Sequence, residues 1–252
     1  MTAYVLVGGA WMGGWCWQAV ARPLRSRGHD VYPVTLTGLG ERSHLAGPTI
    51  DLTTHITDIV NLIEFEGLRD VVLVGHSYAG VPVTGAGGRI PERIARLVYL
   101  DSAPIPSGLS YLDSNPPEVQ QQIEQRVAEH GDGWRLPMPP WDEQAKGGAS
   151  LDGLSDDDLR LMASRATPQP FGTYTQPLTY TSSVLEALPS LAILCSFSLA
   201  QVQELIAAGH PWGQAMSGPQ WQYVELPTGH WPMYSRPNDV AEILAGLSSD
   251  HG

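Results

Sequence analysis

Short apolar runs alternate along the chain with segments whose apolar residues fall at helical spacing, and that alternation predicts strands and helices in turn. Tyr4 to Val7 reads as a buried strand ending at Gly8-Gly9, and Trp15 to Arg27 as a helix that stops at Gly28. A second strand is predicted at Asp30 to Leu36, followed by the glycine-rich loop Thr37 to Arg42. A helix follows over Leu52 to Phe65, with Asp51 as its cap and Gly67 at its end. Further strands are predicted at Asp70 to Val74, Ile94 to Leu100, Ser190 to Leu194 and Trp221 to Leu226, and a closing helix at Asn238 to Leu247. Strands apolar at nearly every position must be covered on both faces, so this order predicts an α/β fold: a mostly parallel central sheet with helices on both sides. The rhythm breaks from about Pro104 to Tyr180, where prolines and aromatics surround helical patches at Pro117 to Glu129 and Ser155 to Ala163. Long insertions in compact domains are usually functional. The expected organisation is a core of residues 1–103 and 184–252 with a cap, or lid, over 104–183.

Composition narrows the class. With 252 residues, 42% of them hydrophobic, the chain can bury a full core without covalent staples. A formal charge of −12 argues against nucleic acid and anionic membranes as partners. A small-molecule substrate is expected instead, and charge does not choose between monomer and homodimer. Cys16 and Cys195 read as small core residues in a reducing compartment. With no basic leader and no apolar stretch long enough to span a bilayer, the expectation is a cytoplasmic protein.

The candidate chemistry begins at Gly75-His76-Ser77-Tyr78-Ala79-Gly80, which follows an apolar strand and precedes a small-residue helix. A serine on such a turn is held in strained backbone geometry with its hydroxyl clear of the chain, and close backbone approach requires small flanking residues. Ser77 is therefore the candidate nucleophile, with Ala79 standing where a second glycine is usual.

Together with the glycine-rich first turn and the late His230, this order of motifs resembles the α/β-hydrolase fold. Val5-Leu6-Val7-Gly8-Gly9-Ala10-Trp11-Met12-Gly13-Gly14-Trp15-Cys16-Trp17 is similar to the start of the plant methylesterase and hydroxynitrile lyase group and its bacterial esterase relatives. Thr228-Gly229-His230-Trp231-Pro232-Met233 and Pro168-Gln169-Pro170 resemble its bacterial members. The resemblance implies His230 as the base that takes the Ser77 proton. His76 is expected to face away from the nucleophile, and the remaining histidines show no metal-ligand spacing. No metal and no organic cofactor is implied. By position, the backbone N–H groups of Ala10 and Tyr78 would form the oxyanion hole. Gly8 stands where relatives usually carry a histidine.

The acid departs from the family pattern. Relatives place an aspartate in the loop after the strand read as Leu191 to Leu194. Here the loop runs Cys195-Ser196-Phe197-Ser198-Leu199-Ala200, with Ser198 at the matching place and no carboxylate before Glu204. Asp101, at the end of the preceding core strand, is the natural substitute; its alternative role is to cap the Ser102 and Ala103 amides. Hydroxynitrile lyases of the group carry a lysine beside the histidine, whereas this chain has Trp231 there, and its sole lysine, Lys146, lies in the cap. A carboxylic ester hydrolase is expected, acting on a small apolar or aromatic ester or lactone. Trp134, Trp141, Phe171, Tyr174 and Tyr180 of the cap, with Trp11, Met12, Tyr78 and Trp231 near the floor, would line its pocket. Two rivals stay open: a cofactor-free lyase, cyclase or isomerase of bacterial secondary metabolism using Ser77 and His230 for proton transfer, and a binding protein that has lost turnover.

Overall fold

The computed structural model describes residues 1–247. Its strands are β1 (Ala3–Val7), β2 (Asp30–Val34), β3 (Val71–His76), β4 (Ile94–Leu100), β5 (Arg135–Leu136), β6 (Gln169–Pro170), β7 (Ser190–Leu194) and β8 (Trp221–Glu225). Six of them form one parallel sheet in the order β2-β1-β3-β4-β7-β8. The strand period of two sorts side chains to opposite faces. Val5 and Val7 of β1, Val71 and Leu73 of β3, and Leu97 and Tyr99 of β4 join one core, closed by the helices Leu52–Phe65 and Gly80–Arg89. Tyr4, Leu6, Val72, Val74, Val98 and Leu100 join the other, closed by Gln18–Ser26 and Pro237–Gly246. Burial on both faces is why these strands read as continuous apolar runs rather than as alternating ones.

Local chemistry sets the element ends. Asp51 accepts from the Thr54 N–H at 2.9 Å, and Thr54 Oγ1 in turn accepts from the Asp51 N–H, so the helix Leu52–Phe65 begins with a reciprocal cap. The predicted helix over Trp15–Arg27 divides into a 3-10 turn, Gly14–Trp17, and the helix Gln18–Ser26. β2 stops at Val34, short of Leu36, as the Thr35 hydroxyl turns to accept the Gly14 N–H at 2.7 Å. β3 runs past Val74 to His76 and so delivers the chain directly into the Ser77 turn. Between β7 and β8 the structure adds two helices, Leu199–Ala207 and Pro211–Ala215.

The segment between β4 and β7 carries the helices Pro117–His130, Trp141–Lys146, Asp156–Arg165 and Gly172–Thr175 and the small antiparallel pair β5–β6. It sits over the Ser77 end of the sheet. Helix Ser182–Glu186 straddles the boundary expected at 183/184, and residues 248–252 of the expected core lie outside the described residues. No helix among the described residues is long and apolar enough to cross a membrane.

Candidate active site

Ser77 sits between the last residue of β3 and the helix Gly80–Arg89 with φ +52°, a left-handed conformation that non-glycine residues rarely take. Close packing around it makes that turn possible. A Cβ at Gly75 would lie 2.7 Å from both the Ala79 carbonyl oxygen and Val83 Cγ2. A Cβ at Gly9 would lie 2.8 Å from His76 Nδ1 and 3.0 Å from Ser77 Cβ, so only glycine lets the loop after β1 come this close to the serine. Ser102 Oγ, from beyond β4, donates to the Ser77 carbonyl at 2.5 Å and pins the turn from behind.

His230 arrives on the loop after β8. That loop is anchored by Gly229 N–H to Asp152 O at 3.0 Å and His230 N–H to Ser150 O at 2.7 Å, tying it to the inserted segment. Its ring bridges Ser77 and Asp101: Nε2 lies 2.9 Å from Ser77 Oγ, and Nδ1 lies 2.6 Å from Asp101 Oδ2. A carboxylate can only accept, so Nδ1 carries the hydrogen, Nε2 presents its lone pair, and the Ser77 hydroxyl donates to it. The imidazole is thus held in the tautomer a general base requires.

Asp101 is buried, with φ +44°, and its other bonds run to the loop after β7. Oδ1 accepts from the N–H groups of Cys195 at 3.1 Å and Ser196 at 2.8 Å, and Oδ2 accepts from Ser196 Oγ at 2.6 Å. Burial pushes the carboxyl pKa up, but the hydrogen bond and charge of His230 and the bonds from Ser196 outweigh it and hold the group below its ordinary value. The Asp101 side chain therefore points across to Ser196, not back onto the Ser102 and Ala103 amides. Ser198, the other candidate to orient the imidazole, is the N-cap of helix Leu199–Ala207 and bonds Gln201 instead. Its Ser-x-x-Gln spacing is a capping-box signature that could have been read from the chain.

A cavity of about 440 Å³ opens over Ser77 and His230. Trp11, Tyr174 and Trp231, read as pocket residues, line it, and so does Ala10, read as an oxyanion donor. Tyr78 does not: its side chain is buried behind the turn, 5.3 Å from Tyr174 in a stacked pair, and only its backbone borders the serine. The Tyr78 hydroxyl lies 3.0 Å from Nδ1 of the buried His55, whose Nε2 lies 2.9 Å from the Thr37 carbonyl. A carbonyl only accepts, so Nε2 donates to it and Nδ1 accepts from the tyrosine.

Several predicted lining residues point elsewhere. Met12 packs with Cys16 and Trp17 in the core closed by the helices Gln18–Ser26 and Pro237–Gly246. Trp141 packs edge-on against Trp231 at 5.3 Å and supports the wall without lining it. Trp134 lies against the Arg135 guanidinium, 5.5 Å from its ring centroid. Phe171 packs onto the core through its ring and donates its N–H to the Trp134 carbonyl at 2.7 Å. Tyr180 donates to the Ile105 carbonyl at 3.0 Å and borders a separate cleft. Aromatic content alone does not tell a cavity wall from the packed interior of the segment between β4 and β7.

His76 also corrects the sequence reading. Instead of facing away, its ring borders the cavity 5.0 Å from that of His230, and Nε2 donates to the His230 carbonyl at 2.6 Å. Burial, then the charge of His230, lowers its pKa to about 3, so it stays neutral. The sequence reading missed Tyr111, Asn115, Gln122, Arg126 and Gln144 in the lining. Arg126 of helix Pro117–His130 pairs with Glu143 of helix Trp141–Lys146 at the cavity edge. The first of these helices was read from the sequence and the second was not, and the face each turns inward depends on how the inserted segment docks. Among the described residues no group of three or more His, Cys, Asp or Glu side chains could hold a metal ion.

Residues 4–243 match the alpha/beta hydrolase family. A carbendazim hydrolyzing esterase of Nocardioides sp. (strain SG-4G) is 35% identical over 98% of this chain and 100% of its own length. Methylesterase 7 of Arabidopsis thaliana is 24% identical over 98% and 96% of the two chains. Among solved structures, an extracellular alpha/beta-hydrolase from a Paenibacillus species superposes with a TM-score of 0.82 at 21% identity, covering 98% of each chain.

Proposed function

The chain belongs to the alpha/beta hydrolase family, and on that premise we propose that it is a carboxylic ester hydrolase working through an acyl-enzyme on Ser77. The observation that carries this reading is the unbroken run from Ser77 Oγ through the His230 ring to Asp101, at 2.9 and 2.6 Å. Ser77 attacks the ester carbonyl carbon as His230 Nε2 takes its proton, and Asp101 stabilises the imidazolium that forms. The backbone N–H groups of Ala10 and Tyr78 hold the oxyanion. Collapse expels the alcohol, which receives the proton from His230, and water repeats the sequence to release the acid. Trp11, Tyr111, Tyr174 and Trp231 offer an aromatic floor for an apolar or aromatic ester, while Asn115, Gln122 and Gln144 give the outer end polar groups. Carbendazim, named for the bacterial relative, is the first such compound to try. A cytoplasmic setting belongs to the same reading and rests on two unpaired, buried cysteines.

The test is intact-mass analysis after treatment with a fluorophosphonate, alongside hydrolysis of short aryl esters. A single adduct on the wild type, absent from Ser77→Ala together with hydrolysis, is expected. No adduct on folded protein would overturn the acyl-enzyme and favour proton-transfer chemistry or ligand binding.

A further inference from the structure

The loop that carries Ala10 is held from the inserted segment as well as from the end of β2, where the Thr35 hydroxyl accepts the Gly14 N–H. Trp11, the next residue, has φ +65°, a conformation costly for a side chain as large as tryptophan. Each of its polar groups is engaged by residues between β4 and β7. Its N–H donates to Gln169 Oε1 at 3.2 Å, its indole Nε1–H to the Leu136 carbonyl at 2.9 Å, and its carbonyl accepts the Thr167 N–H at 3.0 Å.

Gln169 is the polar side chain buried at the centre of this arrangement, with no exposed surface. Its amide orientation is fixed by its other neighbour. Thr173 Oγ1 donates its hydrogen to the Pro170 carbonyl at 2.6 Å, so toward Gln169 it can only accept, and it takes the Nε2–H at 2.8 Å. Oε1 is thereby turned toward Trp11. The chain Pro170 O, Thr173 Oγ1, Gln169 amide, Trp11 N–H leaves no freedom to flip.

We infer that Gln169 is a positioning residue for ester hydrolysis: by holding Trp11 in its left-handed conformation it aims the adjoining Ala10 N–H at the oxyanion. This rests on the reading of Ser77 as nucleophile and Ala10 as oxyanion donor. The inserted segment then contributes to turnover as well as to substrate contact, since β6 and the turn after it set the geometry of a donor on the β1 loop. Misaiming one of two donors weakens interactions made only with developing charge, so kcat falls while ground-state binding is spared.

The variants are Gln169→Leu, which removes both bonds, and Thr173→Val, which leaves the amide but frees it to flip. Each is compared with the wild type for p-nitrophenyl acetate hydrolysis and for inhibition by phenylboronic acid, whose tetrahedral adduct on a serine mimics the oxyanion. For Gln169→Leu the expectation is a fall in kcat of about 10- to 100-fold with KM within about twofold, matched by an equal loss of boronate affinity. Thr173→Val should fall between it and the wild type. Wild-type kcat in both variants, a rise in KM alone, or a kcat loss without weaker boronate binding overturns the inference. Should Gln169→Leu fail to fold by circular dichroism, Thr173→Val carries the same comparison. Failure of the underlying reading looks different, because the wild type itself would then neither turn over the ester nor bind the boronate.

Discussion

Replacing Asp101 by asparagine exchanges one carboxylate oxygen for an NH₂ and should nearly silence the enzyme. Asp101 Oδ1 accepts from two backbone N–H groups, Cys195 and Ser196, so in Asp101→Asn the amide oxygen must stay there, since an NH₂ would face two donors. The new Nδ2 then replaces Oδ2, which accepts from Ser196 Oγ and His230 Nδ1 at 2.6 Å each. The serine hydroxyl can rotate and accept instead. The imidazole can satisfy Nδ2–H only by adopting the other tautomer, with its hydrogen on Nε2 aimed at Ser77 Oγ. A ring in that form cannot take the serine proton, and the imidazolium loses its carboxylate. The same exchange in a serine protease lowers kcat by about 10⁴, or about 5 kcal/mol at 1.36 kcal/mol per factor of ten. Of the four contacts two survive and two invert, so the fold should persist, which a thermal melt would verify. Steady-state hydrolysis of an aryl ester and the rate of fluorophosphonate labelling should both fall by about three to four orders of magnitude. Activity within about tenfold of wild type, on protein with an unchanged melt, would show that Asp101 does not set the tautomer of His230.

Two further outcomes concern stability. Gly75→Ala puts a methyl 2.7 Å from the Ala79 carbonyl oxygen and Val83 Cγ2, so it should lower the unfolding free energy by about 1–3 kcal/mol through overpacking; an unchanged urea midpoint refutes the close approach. Burial lowers the His55 pKa to about 4, beneath the value of about 6.5 it takes when unfolded, so below pH 6.5 the unfolded chain binds a proton that the folded one refuses. Stability should therefore be level above that pH and fall by up to about 3 kcal/mol toward pH 4, steeper than in His55→Asn; equal slopes in urea titrations of the two proteins refute it. Asp101 acts in a lower window: its folded pKa is depressed, so its contribution is present above the unfolded value of about 3.9 and is lost as pH falls through the folded one.

Much of the fold was legible because buried parallel strands announce themselves. β4 (Ile94–Leu100), β7 (Ser190–Leu194) and the helix Leu52–Phe65 have the ends their apolar runs, caps and glycines predict. The Ser77 turn was legible for the same reason, since only small residues fit where Gly75 and Gly9 touch their neighbours. What the chain does not reveal is which face of an inserted helix turns inward. Trp134, Trp141 and Phe171 look like pocket residues by type and are spent on packing, while Gln122 and Arg126, ordinary surface types in sequence, line the cavity. His76 was misjudged because strand alternation predicts the side but not the reach of its ring to His230.

The displaced acid follows from the sheet itself. β4 and β7 are parallel neighbours, with Leu100 opposite Ile193, and the Asp101 N–H continues the ladder to the Ile193 carbonyl at 2.8 Å. The ends of both strands therefore open onto the same point beneath His230. A carboxylate launched from either can reach Nδ1, so the position is set by space and not by which strand supplies it. With the aspartate on β4, the loop after β7 is freed from supplying a carboxylate and presents donors instead: the Cys195 and Ser196 N–H groups and the Ser196 hydroxyl all converge on Asp101. The left-handed backbone at Asp101, φ +44°, is the strain that brings the carboxylate across to them. Ser198, released from any role at the imidazole, begins a helix. A chain with no carboxylate in the loop after β7 thus still brings one to 2.6 Å from its histidine, because the ends of two adjacent strands meet at that point.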